Sequence, residues 1–474
     1  MKKSILSLCA IFCMAITAMA AGKAKYVFYF IGDGMGVNQV NGTETQLADQ
    51  EGRIGIRPLC FTQFPFVGLV TTCSATNGVT DSAAGGTALA TGSKTKNGTL
   101  GLKADQNTPL TSLAYRAQAE GKAVGIATSV SVDHATPAAF YAHVKDRNEY
   151  HQIGKDLIEA GFDFYAGSDF LQPEARPSEG GKDLYTQCRE AGYAIARGYA
   201  DYQTKAATAG KMILLQPEAA SRKDRTAIPY AIDRKAGDLS LREITQAAIS
   251  FLSAKNTDGF FLMVEGGKID WACHSNDAAT LFREVADLDS AVQTAYAFYQ
   301  KHPDETLILI TADHETGGLA LGTGAYELHT GLLQYQQQSA ESFSKMIAQQ
   351  HQSEGNGFTW DFVRQQLQNS FGFWTNIPLS ETETKELKEA YEDFCEGVAK
   401  DTKTLYASEN IIAATARRLM ARKAMVGWQS TGHSNGYVPV FAIGAGAELF
   451  TGRIDNTDIP KKVAEAAGYA KNHP

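Results

Sequence analysis

Seven short runs of the chain are almost wholly apolar: Tyr26–Ile31, Phe66–Thr72, Ala123–Thr128, Met212–Leu215, Phe260–Val264, Thr306–Ile310 and Pro439–Ile443. None is long enough for an ordinary helix, and most run into glycine or polar residues, so they read as strands buried on both faces. Between them lie stretches whose apolar residues recur at helical spacing, at Pro109–Glu120, Asn148–Ala160, Leu241–Ala254, Ala278–Gln300 and Asn410–Arg422. Strands alternating with helices predict an α/β fold: a doubly wound, largely parallel central sheet with helices on both faces. Segment 171–182 is rich in Pro and Gly and reads as a loop; Thr457 and Asp458 are candidate caps of a final helix with Pro460 in its first turn. Residues 320–430 differ in texture. They are rich in Gln and helix formers, with Trp360, Phe362, Phe371, Phe373 and Trp374 close together, and predict a mostly helical insertion with a small apolar cluster of its own.

The first twenty residues stand apart from this pattern. Lys2 and Lys3 precede an apolar run from Ile5 to Ala20 that ends in Ala18-Met19-Ala20. A basic head, an apolar middle and a small-residue exit predict a signal peptide, leaving residues 21–474 as a single α/β domain. The apolar run is shorter than the ~20 residues of a bilayer span, and no later run is long enough. The expected product is therefore soluble, and periplasmic or secreted. Cys9 and Cys13 leave with the leader, so the seven cysteines fall to an odd number with at least one free thiol. Cys60 and Cys73 are the nearest pair; Cys188, Cys273 and Cys395 read as small buried apolar residues. The formal net charge of −8 argues against a nucleic-acid-binding surface and would repel phosphorylated compounds at long range. Any phosphate site must then be made locally positive, which bound cations would do.

Candidate chemistry gathers where strands end. Tyr26–Ile31 runs into Asp33 between two glycines; Phe260–Val264 runs into Glu265, Asp270 and His274; Thr306–Ile310 runs into Asp313-His314; Phe66–Thr72 precedes Asp81-Ser82. Ligands of open α/β sheets bind beyond the carboxyl ends of strands, so clusters far apart in sequence can meet there. Asp270 and His274 are four apart and would share one helix face, a chelating spacing. Asp313 and His314 are adjacent and need a loop to act together. His433 precedes the last strand. Each has a plain structural reading, as a turn aspartate, a solvated pair or a lone histidine, but their shared location at strand ends points to a multi-metal site. Ser82 opens a run of small residues, Ala83–Leu89, and a serine at a helix start is often only a cap. The same location puts its oxygen near free N–H groups that attract anions. Arg147 lies in a polar stretch, and its guanidinium suits two phosphate oxygens.

Six segments, GDGMG, VTDSAAGGTALATG, HATPAA followed by AHVKDRN, VEGGKIDWACH, TADHETGG and TGHSNGYV, resemble in order the motifs of alkaline phosphatases, and the form of TADHETGG with Trp271 resembles a bacterial branch of that family. The resemblance implies one zinc held by Asp270, His274 and His433, and a second held by Asp33, Asp313 and His314 with Ser82. It implies a magnesium held by Asp33, Thr136 and Glu265, and phosphate gripped by Arg147. It also implies a homodimer that hydrolyses phosphate monoesters through a phosphoserine on Ser82. Two positions depart from the best-known bacterial pattern: His134 stands where an aspartate lies near the magnesium, and Trp271 where a lysine lies near the phosphate. Both are expected one layer outside the ligands. Two other readings stay open on sequence grounds. One is a related hydrolase of phosphodiesters or sulfate esters; the other is an exported metal- or phosphate-binding protein without an attacking group.

Overall fold

A computed structural model describes residues 23–175, 180–324, 326–398 and 401–470. The expected signal peptide, residues 1–20, lies outside them. The apolar runs form a ten-stranded sheet. Eight of its strands are β1 (Tyr26–Gly32), β2 (Phe66–Thr71), β3 (Ala123–Thr128), β4 (Phe164–Gly167), β5 (Tyr193–Arg197), β6 (Lys211–Leu215), β7 (Phe260–Gly266) and β8 (Thr306–Thr311). Strands Val438–Gly444 and Gly452–Asp455 complete it. From one edge the order is Gly452–Asp455, β2, Val438–Gly444, β8, β1, β7, β3, β4, β6, β5. Every neighbouring pair is parallel except those of Val438–Gly444, which runs antiparallel to both β2 and β8.

Both faces of the sheet are covered, and β1 shows how. Successive side chains of a strand point to opposite faces. Phe28 packs edge-on against Phe260 and Phe298, the latter on helix Ala278–Tyr299. Tyr29 packs on Phe140 and its hydroxyl donates to Leu89 O of helix Ser82–Thr91. Burial on both sides accounts for the uninterrupted apolar runs.

The structure differs from the sequence expectation in places. The helix expected over Pro109–Glu120 covers only Leu113–Ala119, because Ser112 caps it by accepting from Tyr115 N. Strand β7 runs past Val264, so Glu265 lies inside it, paired with Ile31 and Thr128 on its two sides. β4, β5 and Gly452–Asp455 were not foreseen; all are short, and β5 alternates weakly. Thr457 is the cap residue of the final helix, Asp458–Ala467, but makes no side-chain cap bond. The five cysteines among the described residues are all free; Cys60 and Cys73 do not pair, and Cys395 is exposed rather than buried.

Residues 340–423 carry helices Ala340–Glu354, Trp360–Phe371, Glu381–Cys395 and Ile411–Lys423. Their buried residues, including Phe343, Phe371, Phe373 and Leu387, are continuous with the main core. A small hairpin, Thr402–Lys403 with Ser408–Glu409, precedes the last of these helices. The buried Glu409 carboxylate anchors it by an ion pair to Arg417, 2.9 Å away.

Candidate metal centre

The parallel strands β1, β2, β3, β7 and β8 all end at the same edge, and the antiparallel strand begins there. Loops from six distant parts of the chain therefore meet at one place. Asp33 follows β1 and Glu265 ends β7. Asp313 and His314 follow β8, Ser82 follows β2, and His134 and Thr136 follow β3. His433 reaches the same place because the reversed strand starts where the others stop. Asp270 and His274 sit on the short helix Lys268–His274, whose first N–H groups, of Gly267 and Lys268, donate to Ser129 Oγ. Gly34 turns the chain with φ of 72°; a Cβ there would lie 2.9 Å from Asp270 Oδ1 and 2.8 Å from Thr316 Oγ1, so only glycine fits.

Four carboxylates, Asp33, Glu265, Asp270 and Asp313, are wholly buried within this cluster. Three of the imidazoles are oriented alike. His274 Nδ1 lies 2.5 Å from Thr431 O, and His433 Nδ1 lies 2.8 Å from Thr80 O. His314 Nδ1 lies 3.2 Å from Thr316 Oγ1, whose own proton goes to Asp270 Oδ1. Each Nδ1 thus donates its proton outward, which leaves an Nε2 lone pair facing the centre, the tautomer of a metal ligand. Those Nε2 atoms converge: His274 Nε2 is 3.2 Å from His433 Nε2 and 3.2 Å from Asp270 Oδ2. His314 Nε2 is 3.3 Å from Asp33 Oδ1, 3.4 Å from Asp313 Oδ2 and 3.2 Å from Ser82 Oγ.

The electrostatics are those of a site missing positive charge. Burial, together with the neighbouring Asp313, Asp270 and Glu265, pushes the Asp33 carboxyl well up; Asp313 is raised likewise by burial, Asp270 and Glu265. Burial raises Glu265 to about 7 against hydrogen bonds that favour its ionised form. Burial also lowers His314, with His433 adding to the effect, and holds His134 down at about 3, aided by the Arg147 charge. Asp270 is the exception: burial opposes its charge, but His274 and His433 hold it well below the usual range. Asp33 Oδ1, Glu265 Oε1, Asp270 Oδ2, Asp313 Oδ2 and His134 Nδ1 are buried with no hydrogen-bond partner. Unanswered buried acceptors are costly, and here they converge. Three groups have donor atoms mutually within 4.8 Å: Asp270, His314 and His433; Asp33, Asp313 and His314; Asp33, His134 and Glu265. Oxygen and imidazole donors in this number fit divalent cations.

Ser82 is the first residue of helix Ser82–Thr91 and is fully buried. The cap is Asp81, whose carboxylate accepts from Ala84 N, so the Ser82 hydroxyl is free for the cluster. Arg147 donates to Asp81 Oδ2 at 3.2 Å and lies 3.5 Å from His134 Nε2, which holds its guanidinium at the rim.

The sequence as a whole matches the family model described as alkaline phosphatase, over residues 24–167 and 178–469. The chain belongs to the alkaline phosphatase family. It is 30% identical to alkaline phosphatase 3 of Bacillus subtilis over 450 residues, covering 94% of this chain and 89% of that protein. The cold-active alkaline phosphatase from Shewanella sp. superposes with a TM-score of 0.76 at 29% identity, covering 94% of this chain and all of that one. A TAB5 alkaline phosphatase carrying a His-to-Glu substitution, with Mg bound in its M3 site, gives 0.64 at 25% identity, covering 95% and 99%. As a member of the family, the chain is a metal-dependent phosphomonoesterase.

All the sequence-derived site residues lie in or beside the cluster. His134 offers a nitrogen within 4.8 Å of Asp33 and Glu265 oxygens, in one of the three candidate ligand groups. Thr136 Oγ1 lies 3.4 Å from Asp33 Oδ2, beside the same group. The Trp271 ring stacks on Tyr406 at 4.3 Å and lies 6.0 Å from His134. Sequence reasoning missed Tyr406, which stands 5.4 Å from His274, because it comes from the remote hairpin and carries no motif. It also missed Thr316, which binds both His314 and Asp270. The spacing of Thr316, two residues after His314, was the available signal.

Proposed function

We propose that this alkaline phosphatase cleaves phosphate monoesters with Ser82 Oγ as the attacking group, through a phosphoserine. The reading rests on one observation above the rest: Ser82 Oγ lies 3.2 Å from His314 Nε2, a donor shared by two of the three ligand groups. Two zinc ions are assigned, one to Asp270, His274 and His433 with His314 close by, the other to Asp33, Asp313 and His314. A third cation, magnesium by family resemblance, is assigned to Asp33, Thr136 and Glu265, with His134 within reach of the same group. A nitrogen donor in that third group would also suit a softer ion. Cations bound at these groups would lower the pKa of the serine hydroxyl and offset charge on the entering and leaving oxygens.

The protein's own part is positioning. Asp81 caps the helix and thereby fixes the Ser82 backbone. The Oγ attacks phosphorus; as the Oγ–P bond forms, the P–O bond to the alcohol breaks and the alcohol leaves. Water then attacks the phosphoserine, the Oγ–P bond breaks, and inorganic phosphate departs with the Ser82 hydroxyl restored. Arg147, tethered by Asp81, binds the equatorial oxygens throughout, where charge is spread. Trp271 and Tyr406 form an aromatic wall beside this position. Acid-quenching the enzyme with a labelled aryl phosphate should trap label on Ser82. A fully active Ser82→Ala protein that traps no label would end this mechanism.

Export to a periplasm or beyond is proposed from the leader-like residues 1–20. Among the described residues no helix is long and apolar enough to cross a membrane. A homodimer is proposed from the family resemblance, supported by the exposed apolar residues Ile54, Ile56, Val67, Leu69 and Tyr437; sedimentation would test it.

A further inference from the structure

The amine of Lys268 has no counterpart in the chemistry above. It is 5% exposed, yet among the described residues it makes no hydrogen bond and lies within ion-pair distance of no carboxylate. Its Nζ rests 3.5 Å from the centre of the Tyr230 ring and 4.9 Å from that of Trp271. Other lysines that are partly buried find oxygen partners: Lys94 meets Asn456 and Asp455, and Lys205 meets Asp201 and Ile195 O. A ring face attracts a cation but accepts no ordinary hydrogen bond, so the three donors of this ammonium remain unanswered.

Lys268 lines a cavity of about 520 Å³, which is in the range of small-molecule sites. The acids around that cavity are already engaged. Asp233 accepts from Ser339 and Ser342, Asp224 from Thr226, and Asp238 from the Lys235 backbone. Glu341 is paired with Lys345 at 2.6 Å. Pro217, Ala227, Ile228 and Tyr230 supply apolar wall. We propose that this cavity is a second, non-catalytic binding site for a small organic carboxylate whose anionic group meets Lys268 and whose apolar body lies along Ile228 and Tyr230. A monoanion fits better than a phosphate dianion. Four lysines, Lys223, Lys235, Lys268 and Lys345, and four acids, Asp224, Asp233, Asp238 and Glu341, line the cavity, so its walls are balanced in charge and favour one added negative charge over two.

Lys268 opens the helix that carries Asp270, so occupancy of the cavity is also expected to register in Trp271 fluorescence. The test is calorimetric titration of the metal-loaded enzyme with benzoate, in saturating inorganic phosphate to fill the catalytic centre. One benzoate per chain should bind. Lys268→Met should weaken binding about tenfold or more, as loss of a charged hydrogen bond does, while Lys268→Arg should retain it. Ala220→Trp, which narrows the cavity from a different element than the one that carries Lys268, should weaken it as much. Ala220→Trp should also leave metal content and kcat/KM unchanged, and it alone decides should Lys268→Met fail to load metal. No saturable binding to the wild-type enzyme would overturn the proposal, as would unchanged affinity in a folded Lys268→Met or in Ala220→Trp. Phosphate that competes with benzoate only at this second site would replace the carboxylate with phosphate as its ligand and overturn the monoanion assignment.

Discussion

A single buried acid and a cluster of four lie at the same edge of one sheet and behave oppositely. After β4, Asp169 accepts from Tyr185 Oη at 2.6 Å, from its neighbour Phe170 N at 2.8 Å and from Arg197 Nη1 at 2.7 Å, with Ser221 Oγ on the same guanidinium. Its charge is fully met by protein. After β1, β7 and β8, Asp33, Glu265, Asp270 and Asp313 leave one oxygen each without a hydrogen bond, all facing a common centre. Buried acidity alone therefore does not mark the active region, since both places have it. The mark is the convergence of unanswered lone pairs, with imidazole protons turned outward and away from the centre.

If that contrast is right, chelation should separate the two places completely. Removing divalent ions should take phosphatase activity to background, with zinc restoring it, while the Asp169–Arg197 region stays folded; activity that persists in excess chelator would break the comparison outright. Ser82→Ala should retain metal, by elemental analysis, yet lower turnover by several orders of magnitude, about 10⁴-fold or more, as lost nucleophiles do. Arg147→Ala should cost roughly 10- to 100-fold in kcat/KM on an aryl phosphate, the scale of a charge-assisted contact, with little change in metal content. Asp169→Ala should act in the other column: stability falls by about 3 kcal/mol, the scale of an orphaned buried charge, while metal content and kcat/KM hold. If Asp169→Ala loses metal instead, the two places are not independent.

The smallest effect is one of pH. In the metal-free protein Glu265 titrates at about 7, above the 4.5 of an unfolded chain, chiefly through burial. A group raised in the folded state contributes stability that is complete below its unfolded pKa and lost as pH rises through its folded one. Asp33 and Asp313, raised for the same cause, act in the same sense. Metal-free protein should therefore melt lower at pH 8 than at pH 5.5. The loaded enzyme should show the reverse trend, because bound cations replace those protons and are displaced by acid. Parallel melting curves of the two forms across that range would contradict the cage.

How much of this was legible beforehand depended on periodicity and spacing. β1, β3, β7 and β8 are central strands buried on both faces, so their sequences are unbroken apolar runs that no helix would need. β5, Tyr193–Arg197, is an edge strand with half-buried positions and reads like a loop. Asp270 and His274 were readable as a pair because a helix brings residues four apart onto one face. The pairing of His314 with His433, whose rings stack at 3.6 Å, was not, since only the antiparallel strand brings them together. That His134 comes close to Asp33 and Glu265 was not readable, because its loop, Ser129–His134, has no period from which to infer its direction. Tyr406 depended on a hairpin held by the Glu409–Arg417 pair, a long-range relation without local trace.

The single reversed strand has a consequence for assembly. Because Val438–Gly444 enters the sheet backwards, His433 is brought beside the candidate ligands that follow the parallel strands, Asp33 among them. A polypeptide lacking the segment around His433 would hold Ser82 and most of the acids yet could not complete the Asp270–His314–His433 group. Ion capture at that group would thus report that the sheet has been completed, and a bound cation would tie an early loop to a late one against unravelling.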